Sequence, residues 1–440
     1  MNKGLAILAF MLAASAEAGA QKQEQDTEST LTLDAQLRTR GEYRNGALQP
    51  RDEGGQAAMF LNERTRLTMQ YDRGALSLRV MAQHTGVWGQ DPLMNRQGRF
   101  DVGEAWVGMQ FTKNIFGRLG RQPLVYDDER LLGASDWNVA GAFHDVALLG
   151  YKDDYHEVHG LAAFNQNSER TSGTYYDTSS GMSYKSMQML WYHFTSDMLP
   201  LGVSLMAMNL GKESGSEYTG EGKTEYKQTL GAYVTFRPEQ WDVEASLYYQ
   251  MGKRGKPTSA WMASVRGGYG ITPEWRVTAG YDYLSGQDDD DYGTTNHAFD
   301  PLFGTHHKFY GAMDYFFASP FGYKPRTLLH PEEVRYAPGL QDIQLGVVSK
   351  AIPVRGLVAQ LNYHYFASAA KLSGSIRGLG HEVDLQASIP LIKDVTLQAG
   401  YSFMIGQNTM DIVKGGYYKS WQDWAWITFS VSPRLFSLKK

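Results

Sequence analysis

Arginines recur at alternate positions near the start of the sequence. Arg38 and Arg40 are two residues apart, Arg64 and Arg66 repeat that spacing, and Arg79 follows. Residues two apart on a β-strand share a face, so each pair points to one side of a sheet. Guanidinium groups stay charged and bind carboxylates through two parallel hydrogen bonds. The spacing predicts a cationic wall that attracts anions, unless neighbouring acids neutralise each arginine and the side chains only fill space.

Charges of both signs follow in the segment 117–130, which reads GRLGRQPLVYDDER. Two arginines precede a run of acids, and a further acid lies on the strand before them. Such a segment could narrow a passage by folding into it, and it could equally be a surface loop with internal salt bridges. The candidate residues for the lining of a passage are Arg118, Arg121, Asp127, Asp128 and Glu104.

Other motifs give little support for catalysis or metal binding. His156 and His159 are three residues apart, so on a strand they point to opposite faces. The sequence contains no G-x-S-x-G nucleophile motif. The chain is acidic, with a net charge of −5, and lacks a basic surface motif for nucleic acid. We expect no enzyme activity, no catalytic residues, no metal, no cofactor and no nucleic-acid partner.

The first residues have the features of an export signal. Lys3 gives a short positive region, Leu5–Ala14 is apolar, and Ala18–Ala20 resembles a cleavage site. This order predicts a secretory signal peptide over residues 1–20. Residues 21–30 are polar throughout, which predicts a disordered lead-in. The 440-residue chain has no cysteine, so its fold does not depend on disulfides.

From residue 31 onward, apolar and polar residues alternate with period two, which predicts half-buried strands. The connections between these strands alternate in length. Short ones fall at 72–74, 112–114, 152–154, 237–240 and 351–353, and long ones at 44–58, 86–100, 122–140, 165–183, 285–339 and 407–420. Short turns at one end and long loops at the other are typical of barrels in the outer membrane of Gram-negative bacteria.

The pattern therefore predicts an all-β fold, a transmembrane antiparallel outer-membrane β-barrel of about 18 strands with short periplasmic turns and long extracellular loops. The barrel is expected over residues 31–432, followed by a C-terminal tail, 433–440. An apolar stretch inside 285–339 would make the strand number odd, whereas bacterial single-chain barrels have even numbers. We therefore assign it to a long loop that is a candidate for folding into the lumen.

Aromatic residues cluster near the predicted strand ends, where membrane barrels carry interfacial girdles. Examples are Tyr43, Tyr71, Tyr151, Trp241 and Trp275. Ordinary β-propensity of aromatic residues is the alternative explanation. The girdles predict a location in the cell outer membrane. The expected partners there are outer-membrane lipids, lipopolysaccharide and the barrel-assembly machinery.

Several segments together resemble the alginate-export family of outer-membrane porins. The most specific is Gly120–Gln122 followed by Asp127 and Asp128, then Trp137 and Phe143, and weaker likenesses are Glu104–Val107, Phe303–Ala312 and Gly380–Leu385. The resemblance implies an 18-stranded barrel whose arginine-lined lumen passes the anionic polysaccharide alginate. It also implies that Arg121 lines the constriction and that Asp127 and Asp128 border it.

The leading hypothesis is a channel that passes anionic sugars or polysaccharides, alginate-like, through an arginine-bearing lumen. A general or nutrient-uptake porin without strong charge selectivity is the alternative, and an outer-membrane enzyme or adhesin on a barrel scaffold is a third. An anionic oligo- or polysaccharide is the expected ligand, and periplasmic export or uptake components are candidate partners. The sequence leaves the solute, its direction of transport and the oligomeric state open.

Overall fold

The computed structural model describes residues 28–91, 100–178, 182–214, 223–288, 294–305, 307–316, 337–372 and 377–440. The predicted signal peptide and most of the lead-in lie outside the described residues. Within the described part of the chain, no helix is long and apolar enough to cross a membrane.

Antiparallel strands make up most of the described chain, and consecutive strands from β1 to β18 pair with each other. They are β1 Ser29–Asn45, β2 Ala58–Arg73, β3 Leu76–Val87, β4 Asp101–Gln110, β5 Ile115–Gln122, β6 His144–Lys152, β7 His156–Phe164, β8 Ser186–Thr195, β9 Leu201–Ser214, β10 Lys223–Phe236, β11 Trp241–Arg254, β12 Lys256–Gly270, β13 Trp275–Leu284, β14 Leu340–Ser349, β15 Val358–Ala367, β16 Gly378–Ile392, β17 Val395–Gly406, β18 Gln422–Val431 and β19 Arg434–Lys439. A short helix, α1, spans Asn408–Lys414.

The sheet closes on itself through β1, which pairs with β2 on one side and with β18 and β19 on the other. These last two strands are one barrel strand interrupted at Ser432 and Pro433. Proline has no backbone N–H to donate, but the Pro433 carbonyl still accepts a hydrogen bond from the Ala35 amide at 3.0 Å. The fold is therefore the closed 18-stranded antiparallel barrel that the sequence predicts. The segment expected as a tail, 433–440, instead supplies the end of the closing strand.

The two faces of the barrel wall differ as the alternation of the sequence predicts. On β2, Met59 is 82% exposed on the outer face, whereas Arg64 on the inner face is 1% exposed. Leu37 on β1 and Leu119 on β5 are also exposed on the outside. A closed barrel pairs every strand backbone internally, and an apolar outer face suits hydrocarbon.

Two loops fill much of the barrel interior. The first is the segment 123–143 between β5 and β6, which we call the inner loop, and it buries Leu131 and Leu132. The second comes from the long connection 285–339, of which residues 294–305 and 307–316 are described, and we call this described part the second loop. It buries Tyr310, Met313 and Phe316 against the wall. Its apolar stretch forms turns and not a strand, so the strand number stays even.

Candidate functional site

The arginines of β1 and β2 face the interior and lie close together. Pairing in register places Arg38 directly opposite Arg64, and Arg66 opposite Gln36. Arg40 is two residues further along β1. Like charges directly opposite each other on neighbouring strands repel and destabilise the pair. This part of the wall therefore requires an anion, and the inner loop supplies one.

That anion is Asp136, which the sequence analysis did not select. One of its carboxylate oxygens, Oδ1, lies 2.9 Å from Nη1 of Arg64 and 3.2 Å from Nη1 of Arg66. The other, Oδ2, lies 3.3 Å from Nη1 of Arg38. We call these three arginines the arginine triad. A single carboxylate thus bridges guanidinium groups from two adjacent strands.

Backbone carbonyls of the inner loop occupy further donors of the same wall. Arg38 donates to the Asp136 carbonyl at 2.6 Å, and Arg40 donates to the Trp137 carbonyl at 2.9 Å. Arg66 donates to the Ala140 carbonyl at 2.9 Å. The inner loop is therefore fixed to β1 and β2 through its backbone as well as through one carboxylate.

The charge of the wall is only partly neutralised. Arg40 pairs with Glu42 at 2.8 Å, and Arg44 pairs with the other oxygen of the same carboxylate at 2.7 Å. The inward arginines on β1 and β2 are Arg38, Arg40, Arg44, Arg64 and Arg66, and their carboxylate partners are Glu42 and Asp136. These five cations therefore outnumber the carboxylates that pair with them.

Arg79, Glu104 and Arg118 continue the charged wall on the next strands. Arg79 pairs with Glu104 at 3.0 Å, and Trp106 donates its Nε1 hydrogen to the same carboxylate at 3.0 Å. The Arg118 guanidinium lies 4.3 Å from the Trp106 ring centroid. These three predicted residues face the interior, but their charges alternate in sign.

Arg121 does not belong to this group. On β5 it pairs in register with Ala105 and Asp145, and its neighbour on the same face is Leu119, which is 57% exposed. Its Nη1 forms an ion pair with Asp145 at 3.1 Å on the outside of the barrel. Residues three apart on a strand point to opposite faces. Arg118 and Arg121 therefore diverge, and the expectation that Arg121 lines the constriction is wrong.

The two predicted aspartates lie on the inner loop but have separate roles. Asp128 pairs with the fully buried Arg130 at 3.0 Å, and Arg130 also contacts Asp282 on β13 at 3.1 Å. Asp127 accepts a hydrogen bond from Nε1 of Trp191 at 3.0 Å. Burial raises the pKa of the Asp127 carboxyl despite this hydrogen bond. Asp128 thus fixes the loop, whereas Asp127 faces an open cavity.

The inner loop and the second loop pack directly against each other. The Trp137 and His307 rings stack with centroids 3.7 Å apart. Glu129 accepts hydrogen bonds from Thr305 at 2.7 Å and from Nζ of Lys308 at 2.9 Å. These contacts make the two loops one obstruction in the interior.

Cavities lined by the described residues border this obstruction. A cavity of 510 Å³ is lined by Asp127, Trp191 and Arg237 near the short-turn end of the barrel. A second of 260 Å³, also towards the short turns, is lined by residues from β11–β15 and by Lys308. A third of 250 Å³ lies near the long loops.

This third cavity is basic on one side. Lys212, Lys227 and Arg254 line it from the adjacent strands β9, β10 and β11, together with Asp300 and Glu225. Lys227 pairs with Asp300 at 2.6 Å. Among the described residues, no three His, Asp or Glu side chains are grouped as metal ligands would be.

A closed barrel with an apolar outer face and a charged, loop-filled interior defines an outer-membrane channel of the porin class. A family model described as alginate export matches residues 29–410, and the chain belongs to this family. Family and fold together imply an outer-membrane location. A search of the curated proteins finds no match to the sequence.

Solved porin structures share the fold at low sequence identity. OccAB1 of Acinetobacter baumannii superposes with a TM-score of 0.61 and 13% identity, covering 92% of this chain and 97% of that one. OccK11 of Pseudomonas aeruginosa gives 0.58 and 11%, covering 95% and 100%. OccK2 of Pseudomonas aeruginosa, solved in complex with glucuronate, gives 0.58 and 13%, covering 92% and 98%. At these identities the likeness concerns the fold alone.

Proposed function

We propose that this barrel passes anionic sugars or oligosaccharides of the uronate type across the outer membrane. The observation that carries the proposal is the cluster of five inward arginines on β1 and β2, whose carboxylate ion-pair partners in the described structure are Glu42 and Asp136. Rings or rows of fixed positive charge in a pore select anions. Membership of the alginate-export family and the glucuronate bound to the similarly folded OccK2 support a uronate as the solute.

The basic residues at the long-loop end support the same solute class. Lys212, Lys227 and Arg254 border a cavity there, and two of these three side chains lie within 4 Å of Asp300. An anion entering from this end would meet these cations before it reaches the arginine triad, which lies further from the strand ends. Acidic partners interspersed among the cations keep binding weak enough for release, which conduction requires.

A general or nutrient-uptake porin without strong charge selectivity is the second candidate. The observation that favours it is the occupation of the arginine donors by Asp136 and by backbone carbonyls of the inner loop. Arginines that only fix a loop would leave the passage without selectivity. Both candidates use the same barrel, and they differ in the charge that a passing solute experiences.

Reversal potential under a KCl gradient distinguishes the two candidates. Purified protein in a planar bilayer should prefer chloride, and Arg66→Gln should reduce that preference because Arg66 is 15% exposed on the interior wall. Arg121→Gln is the matched control, since Arg121 forms an ion pair of similar length on the outer face. An unselective wild-type channel would support the general porin. Equal shifts of the reversal potential in both variants would show that the arginines of β1 and β2 are not the cause of the anion preference.

A further inference from the structure

The arginine triad has the geometry of a carboxylate-binding site. Arg38 and Arg64 are opposite one another on adjacent strands, and Arg66 approaches the same oxygen as Arg64. Their side chains are 1–15% exposed, so most of their surface is removed from water. Three clustered and desolvated guanidinium groups require an anion between them.

The group that occupies this site is itself accessible. The Asp136 side chain is 61% exposed, although all three arginines that it contacts are buried or nearly so. Its carboxylate therefore forms the open side of the site, facing the interior space through which a solute passes. A solute carboxylate can approach the triad along this side without first displacing part of the barrel wall.

Two of the three arginines keep their positions without the Asp136 carboxylate. Arg38 is also held by the Asn138 carbonyl at 3.1 Å, and Arg66 by Gln83 at 2.9 Å. Arg64 donates from Nε and Nη2 to the Gln36 side chain at 2.9 and 2.6 Å. The contacts with Gln36 and Gln83 on the wall fix the Arg64 and Arg66 guanidinium groups whether or not the carboxylate is present, whereas Arg38 is held by the inner loop.

We infer that Arg38, Arg64 and Arg66 form a binding site for the carboxylate of a sugar acid, and that Asp136 is an internal occupant which the ligand displaces. This inference rests on the proposed function, because it assigns the solute of that channel to one site. Glucuronate presents one carboxylate on a hydroxylated ring. Its carboxylate can take the place of the Asp136 carboxylate, and its hydroxyls can donate hydrogen bonds to the backbone carbonyls of the inner loop. Trp137 follows Asp136 and stacks on His307, so displacement also alters the contact between the two loops.

Isothermal titration of folded protein in detergent with glucuronate tests the inference. Asp136→Asn removes the competing charge but keeps the size of the side chain. We expect Asp136→Asn to bind glucuronate about tenfold more tightly than the wild type, because the ligand no longer displaces a charge-assisted contact. Asp136→Glu restores a carboxylate and should return the affinity towards the wild-type value.

Asp145→Asn is the matched control, since it removes the same charge from an arginine pair on the outer face. Its glucuronate affinity should equal that of the wild type. Glucose, which lacks the carboxylate, should not bind any variant, and Arg64→Gln in the Asp136→Asn background should abolish glucuronate binding. Heat-modifiable migration on gels checks that each variant is folded.

Equal or weaker glucuronate binding by Asp136→Asn would overturn the internal-occupant assignment, and so would an absence of binding in every variant. These outcomes differ from a failure of the proposed function. The proposed function fails if the wild-type channel shows no anion preference in the bilayer. A selective channel with unchanged affinity in Asp136→Asn would keep the function and discard this site.

Discussion

Trp137 on the inner loop and His307 on the second loop stack face to face, with ring centroids 3.7 Å apart and an angle of 7° between the planes. On its other side, Trp137 receives the Arg40 guanidinium at 3.8 Å from the ring centroid. One indole therefore connects the arginine wall, the inner loop and the second loop. We therefore expect the conductance of the barrel to depend on the stability of these contacts.

Trp137→Ala should loosen the obstruction and increase single-channel conductance. The substitution removes the stacked pair, which contributes roughly 0.5–1.5 kcal/mol beyond buried area, and also the contact with Arg40. Planar-bilayer recordings at one salt concentration measure the effect. Trp88→Ala is the control, because Trp88 is 58% exposed in the connection after β3. Identical conductance in both variants would show that the loops do not limit the passage.

Acidification should release the inner loop through Asp136. Burial alone raises the pKa of this carboxyl, but the hydrogen bond from Arg64 and the charges of the triad hold its pKa below the usual value. A carboxyl with a lowered folded pKa contributes stability that is fully present above its unfolded pKa of about 3.9 and is lost as pH falls through the folded value. Limited proteolysis within 123–143 should therefore accelerate only below about pH 4.

Asp136→Asn is the control for this pH dependence, since it should already show faster proteolysis at neutral pH and respond less to acid. Glu129 remains in that variant, and its pKa is also lowered. Burial raises this pKa, but the hydrogen bonds from Lys308 and Thr305 and the positive charge of Lys308 lower it by more. A residual acid response of Asp136→Asn is therefore expected. A response equal to that of the wild type would exclude Asp136 as the titrating group.

Arg130→Met should destabilise the folded protein strongly. Arg130 is buried between Asp128 and Asp282, and its removal leaves the buried Asp128 carboxylate without a cation, whereas Asp282 keeps Arg266 at 2.7 Å. Breaking a buried ion pair in this way costs about 3–5 kcal/mol. Urea unfolding followed by tryptophan fluorescence measures the loss. Arg237→Met is the comparison, because Arg237 is 57% exposed in its pair with Asp242 and should change stability little. A similar loss in both variants would contradict the assigned role of Arg130.

The sequence predicts the barrel well because a membrane barrel is specified locally. Period-two alternation assigns each strand residue to a face, and the alternation of short and long connections gives the strand number. The same rule, applied strictly, separates Arg118 from Arg121, which are three residues apart on β5. The family likeness led to the expectation that Arg121 lines the constriction, although its spacing from Arg118 already indicated the opposite face.

The site depends on contacts that no local pattern reveals. Asp136 is 98 residues from Arg38 along the chain, and the two meet only because the inner loop turns into the barrel. The path of a loop is determined by the residues that it packs against. The inner loop packs against the second loop, where Leu132 of the inner loop pairs with Phe303. The mixed charges of 117–130 permitted either an inward or a surface path. The sequence therefore predicts the wall but not the group that occupies it.

The closing strand gives a last prediction, on assembly. β19 pairs with the first part of β1 from Thr30 to Asp34, and in the described structure the other partner of this part is β2. A chain ending at Val431 should lose the heat-modifiable folded form, because an unpaired strand edge in hydrocarbon leaves backbone groups without hydrogen bonds. Pro433→Ala keeps the length and should fold like the wild type, since the carbonyl that accepts from Ala35 remains. Normal folding of the shortened chain would mean that β18 alone closes the barrel.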